Sequence, residues 1–200
     1  MKERPILFST PMVQAIMEGR KTMTRRILKK QEQGESFKNC SSHLANGFLY
    51  SNGVAISNQW KCPYGKPGDR LWVKETSCFV MLDHAHDLLE GMKSQTVYKA
   101  SVHHDWMDYA KEKYGYKWTP SIFMPRSASR ITLEITNIRV ERLNEITKED
   151  AIKEGIIPFQ SNAQYGEEIM FEILWKGING KGSWDANPWV WVIEFERIKP

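Results

Sequence analysis

The stretch Met17-Glu-Gly-Arg-Lys-Thr-Met-Thr-Arg-Arg26 constrains this chain more than any other. Just before it, Thr10-Pro11 offers a helix cap and a proline at the first helical position. Met12, Ala15 and Ile16 then fall at helical spacing for a core-facing stripe. A short helix is therefore predicted to about Glu18, with Gly19 as its left-handed stop. Arg20, Lys21, Thr22, Thr24, Arg25 and Arg26 follow at once. The dipole of the helix C-terminus accounts for Arg20 and Lys21, but Thr24, Arg25 and Arg26 lie past the last turn. Two β-branched threonines around Met23 predict a strand beginning there.

Farther along, Asn52-Gly53 separates two β-prone runs within 47–57 and predicts a hairpin with a type I′ turn. Arg70–Phe79 reads as a strand that puts Glu75 on one face with Leu71 and Val73, where burial would demand a partner. That partner would come from the cations at 20–26, unless the strand is an edge with Glu75 in water. The aromatic run from Trp106 to Trp118 reads as a helix packed on the barrel rather than a base-stacking platform. From Trp118 to Arg126 two prolines dictate an extended loop, and Arg126 and Arg130 bracket Ser127 and Ser129 in a way that suits a phosphate or a base edge. Arg130–Leu143 is the longest strand pattern, with a parity shift near Asn137 that predicts a bulge. Ile146–Gly155 is a short helix with Thr147 and Asp150 near a capping box. Glu154 in its last turn opposes the dipole, a hint that the residue is used elsewhere. Tyr165–Lys176 reads as an amphipathic helix on Ile169, Met170, Ile173 and Leu174, stopped at Gly177. Alternation from Trp189 to Glu196 gives a final strand suited to closing a barrel.

Composition narrows the class. A 41% hydrophobic and 26% charged chain of 200 residues is globular, and no low-complexity linker divides it. A net charge of +4 permits a polyanionic partner without demanding one. Eight tryptophans in 200 residues are many to bury with a partner for each N–H, so some rings are expected along a surface or a cleft. Neither a signal peptide nor a membrane span is read, and Cys40, Cys62 and Cys78 are expected as reduced thiols in a cytoplasm. Cys40, His43 and Cys62 are three of the four ligands a structural zinc needs; lacking a fourth, they read as loop and turn residues. The groups Asp83, His84, His86, Asp87 and His103, His104, Asp105 lack the i, i+4 histidine spacing of a helical zinc site and read as solvated surface.

Gly19-Arg-Lys-Thr-Met-Thr-Arg-Arg26 resembles the Gly-x-Lys-Thr-x-Thr-x-Arg signature of the ASCH domain family, small β-barrels related to the PUA RNA-binding fold. Cys62–Glu75, Pro120–Arg130 and Asn187–Trp191 resemble a phage and prophage branch of that family. The resemblance implies an α+β fold, a PUA-like mixed β-barrel with flanking helices. A single domain would span 1–200, with insertions near 30–61 and 80–118, where the resemblance is weakest.

Within the family, the chemistry implied is that of an N4-acetylcytidine amidohydrolase. Its Lys and Thr match Lys21 and Thr24, and its Glu falls in a Leu-Thr-x-x-x-Ala-x-x-Glu stretch that Ile146–Glu154 matches with Ile for Leu. The resemblance thus implies Lys21, Thr24 and Glu154 as catalytic residues. Arg25, Arg26, Glu75, Arg126 and Arg130 would bind substrate, without cofactor or metal. A lysine whose pKa is lowered by burial or by neighbouring cations can activate Thr24 Oγ1 or a water, with Glu154 orienting it or passing a proton to the leaving amine. Lys21 and Thr24 share a site only if Lys21 lies in the turn after Gly19, because strand alternation would otherwise send them to opposite faces. The lysine nitrogen is expected about 3 to 5 Å from both partners, with Arg26 and Glu75 paired in the same cleft. Two other classes fit the same family: a non-catalytic RNA-binding module and a ribonuclease. The partner is then a modified nucleoside or RNA, with no membrane.

Overall fold

Alternating apolar residues turn three runs of this chain into the middle of its main sheet. The computed structural model describes residues 1–29, 44–45, 48–51, 54–55, 62–81, 83, 94–103, 105–158 and 166–198. In chain order these form β1 (Glu3–Leu7), α1 (Thr10–Met17), β2 (Met23–Ile27), β3 (Leu44–Ala45), β4 (Phe48–Ser51) and β5 (Val54–Ala55). There follow β6 (Arg70–Lys74), β7 (Ser77–Val80), β8 (Gln95–Tyr98), α2 (Trp106–Tyr114), β9 (Thr132–Arg142), α3 (Lys148–Lys153), α4 (Glu167–Asn179) and β10 (Trp189–Ile198). The protein is α+β. The main sheet has five strands in the order β1-β6-β9-β10-β2, with β1 parallel to β6 and its other described pairings antiparallel. β7 pairs with β8 in a separate two-stranded sheet.

β10 lies between β9 and β2, in the interior of the sheet rather than at a closing seam. Its odd residues Trp189, Trp191, Ile193 and Phe195 enter a core with α1, β1, β6 and β9. Val190 and Val192 face the other way, into a second core with α3 and α4. A strand covered on both faces is apolar at every position, which is the pattern of Trp189–Ile193. The bulge expected near Asn137 is present: Glu194 pairs with Asn137 and Phe195 with Ile135, leaving Thr136 unopposed.

No ladder joins β2 to β1 among the described residues. The two edges approach through side chains instead, where the Arg26 guanidinium donates to Leu7 O at 2.6 Å and lies over the Phe8 ring. Ser51 pairs with Val54 and Tyr50 with Ala55, so the predicted hairpin forms, although Asn52 and Gly53 lie outside the described residues. So do Cys40, His43, His84, His86, Asp87 and His104, and no group of metal-binding side chains gathers among the described ones. Cys62 is buried, which pushes its thiol up to about 11. No helix is long and apolar enough to cross a membrane among the described residues.

Several elements depart from expectation. The cap of α1 is Ser9 rather than Thr10, and its buried stripe includes Val13. The 70–79 run breaks at Glu75 into β6 and β7. α2 packs on the β7–β8 sheet through Ala110, with Trp106 against Trp118. The 118–126 loop is tightened by 3-10 turns at Ser121–Phe123 and Arg126–Ala128. α4 runs through Gly177 and buries Phe171 and Trp175, leaving Ile169 and Ile173 exposed. Aromatic rings two turns deep in a helix outcompete isoleucines for the core because they bury more apolar area.

Candidate active site

Two helix ends meet at Lys21. Gly19, at φ 78°, lets the chain leave α1, and both Arg20 N and Lys21 N donate back to Ala15 O. Lys21 therefore sits in the turn, one residue short of a direct tie between Thr22 N and Lys153 O at the end of α3. The second helix ends at Gly155, φ 97°, where any Cβ would stand 3.1 Å from Ala15 Cβ and 3.2 Å from Lys21 Cβ. Only glycine fits both the backbone and the space. This contact brings residues 21 and 154 together from opposite ends of the chain.

The Lys21 side chain is fully enclosed, and its Nζ donates to Glu154 Oε2 at 2.6 Å and to Glu154 O at 2.7 Å. The second bond places a cation on a carbonyl left open at the C-terminus of α3, where the dipole favours it. Burial nonetheless pulls the Lys21 pKa below the ordinary lysine value. Glu154 offsets part of that fall, and the Arg26 and Arg25 charges add to it. Glu154 Oε1 is buried with no hydrogen bond, 3.5 Å from Arg25 Nη1.

Arg25 has no exposed side-chain surface and touches three carboxylates, with Nη2 at 2.5 Å from Asp150 Oδ2 and 3.1 Å from Glu141 Oε2. Arg139 reaches the same Asp150 Oδ2 at 2.9 Å and also pairs with Glu141 and Glu194. Asp150 thus serves as more than the α3 capping residue whose backbone Thr147 accepts. Glu141 and Arg139 did not stand out in the sequence, and Asp150 did so only as part of the capping box. The only signal was a charge at a buried helix position, next to Ala151.

A cavity of about 410 Å³ opens beside this cluster. Thr24, Arg25, Arg26 and Glu154 line its polar side, and Phe8, Met12, Phe171 and Trp175 its apolar side. Its size and mixed lining suit a small organic ligand. Thr24 is buried against it, yet both hydrogen bonds of Lys21 Nζ go to Glu154 and none to the Thr24 hydroxyl among the described residues. The geometry therefore unites Lys21 with Glu154 directly, and Thr24 with Glu154 as walls of one cavity that Lys21 itself does not line.

The other expected binding residues lie elsewhere. Glu75 is buried but meets Arg130, not the cations at 20–26, through two bonds of 2.9 Å. Arg130 also stacks on Tyr98 at 3.9 Å, and Tyr98 donates to Ala128 O. Neither partner lines the cavity, although Thr76 next door does. Arg126 pairs with Glu3 on the surface and lies over Trp72. Arg26 lines the cavity, but its pairing is with Leu7 O rather than Glu75. No family model, curated protein or solved structure matches this chain.

Proposed function

We propose that the chain is a cytoplasmic, PUA-like ASCH amidohydrolase that removes the acyl group from N4-acylated cytosine nucleosides. The observation that carries this reading is the buried Lys21–Glu154 pair, whose lysine is depressed in pKa and whose carboxylate lines one cavity together with Thr24. The bulge in β9 and the Arg26–Leu7 bond between the sheet's two edge strands are features this reading draws on.

In the reaction, neutral Lys21 takes a proton from the attacking oxygen, either water or the Thr24 hydroxyl. That oxygen adds to the acyl carbonyl, and Arg25 and Arg26 stabilise the developing oxyanion. Collapse breaks the C–N4 bond, and the Lys21 proton passes, with Glu154 assisting, to the departing amine. Water plus N4-acetylcytidine gives cytidine plus acetate. With Thr24 as the nucleophile, the single water instead hydrolyses the acyl-Thr24 ester, Lys21 again taking its proton.

Purified protein should convert N4-acetylcytidine to cytidine and acetate by chromatography, and Lys21→Ala should lower kcat/KM by at least about a thousandfold, the loss of base catalysis. Failure across a panel of N4-acyl cytosines would sink the hydrolase. One surface feature favours a second reading, RNA binding. Arg126 and Lys74 both lie over Trp72, and Phe123 nearby in the chain is 72% exposed. On that reading affinity for single-stranded RNA falls steeply with salt and weakens in Arg126→Ala.

A further inference from the structure

The cavity touches four consecutive residues of one strand, Thr24, Arg25, Arg26 and Ile27. Successive side chains of a strand point to opposite faces. A cavity that meets all four must therefore wrap the strand's edge, and β2 is an edge of the main sheet.

Register shows what that edge offers. Thr22 O accepts from Phe195 N, and Leu28 N donates to Trp189 O. Thr24 pairs with Ile193 and Arg26 with Trp191 in the same register. In an antiparallel ladder alternate residues exchange hydrogen bonds with the partner strand. Even-numbered residues of β2 thus bond to β10, while Met23, Arg25 and Ile27 turn their N–H and C=O toward the free edge. Among the described residues nothing hydrogen-bonds the Arg25 or Ile27 backbone there. Unpaired strand edges are normally covered or paired; this one faces a chamber walled by Phe8, Phe171 and Trp175.

We propose that the free edge of β2 reads the base of the substrate. The Ile27 N–H would donate to the ring nitrogen of a cytosine and the Arg25 C=O would accept from its exocyclic amino group, with the aromatic wall covering the ring. The assignment rests on the nucleoside reading above. It adds that base selection lies in the backbone rather than in any polar side chain. A ring nitrogen or carbonyl accepts from N–H, and an exocyclic amino group donates to C=O, so cytidine, the product, should itself bind.

The test uses the full chain, uniformly labelled with 15N and titrated with cytidine. The Ile27 amide resonance should move and its hydrogen exchange slow at least about tenfold, while the Thr24 and Arg26 amides, already in the ladder, move little. A second arm replaces Ile27 with proline, which deletes one outward N–H and no ladder bond. Ile27→Pro should weaken cytidine binding at least about fivefold beyond Ile27→Ala, the fold-loss of one hydrogen bond. Cytidine that binds without moving the Ile27 amide, or binds equally to folded Ile27→Pro and Ile27→Ala, overturns the proposal, and so does absence of cytidine binding. Amide shifts without turnover would instead support edge recognition and refute the hydrolase.

Discussion

Lys21 is held in a place a lysine ordinarily avoids: its side chain has no exposed surface, and its charge is met by one carboxylate and one helix-end carbonyl. Because burial lowers its pKa, the folded chain binds that proton less tightly than the unfolded chain does. Stability should therefore rise with pH from the folded pKa of Lys21 up to about 10.4, its unfolded value. Catalysis should rise with pH through the folded pKa, as the base form appears. Glu154→Gln removes the charge that raises the lysine's proton affinity, so the rising limb of kcat should move to lower pH. A limb that stays put or moves to higher pH would show that Lys21 is not the titrating base. The Lys21–Glu154 pairing was legible because two short motifs resemble a known pattern. The clamp on Glu154 was not: Arg25 reaches Asp150 and Glu141 across more than a hundred residues, and nothing local in either segment marks the pairing.

At the scale of elements, the site depends on how closely α1 and α3 end against each other. Gly155→Ala introduces a methyl group into a positive-φ position with two carbon atoms inside 3.3 Å. The expected cost is about 2–3 kcal/mol, backbone strain plus displacement of Ala15 and Lys21. Gly19→Ala, at φ 78° with nothing within 4 Å, meets only the strain and should cost about 1–2 kcal/mol. Urea unfolding of both variants checks the order, and Gly155→Ala should also depress kcat because it pushes on Lys21 Cβ. Equal stabilities would mean that the helix ends do not in fact crowd. The sequence marked both stops correctly, since a glycine after an apolar-periodic run is a local signal. It misplaced the buried face of α4 for an equally physical reason. Ile169, Met170, Ile173 and Leu174 form as good a stripe as Phe171 and Trp175, and only the surface of β10 and β2 selects between them.

Over the whole molecule, one strand separates two cores, with Trp191 and Ile193 on one side of β10 and Val190 and Val192 on the other. A continuous apolar run says that a strand is covered twice, but not which neighbours cover it. That is why Trp189–Ile198 reads as a closing strand in sequence and proves to be an interior one. The same gap between pattern and pairing explains Glu75, whose burial was foreseen as needing a partner and whose partner, Arg130, comes from the segment entering β9. This pair lies outside the cavity, so stability and catalysis should separate there. Arg130→Ala leaves a carboxylate of 1% residue exposure without its guanidinium. Loss of one member of a buried pair costs about 3 kcal/mol, or a melting temperature lower by about 6–12 °C for a chain of this size. Arg130→Met combined with Glu75→Leu removes both charges and should recover at least half of that loss. Below the melting transition both variants should hydrolyse N4-acetylcytidine with kcat/KM within about twofold of the parent, since a structural pair adds nothing to transition-state binding. A folded Arg130→Ala that loses turnover tenfold or more would return Arg130 to the substrate site.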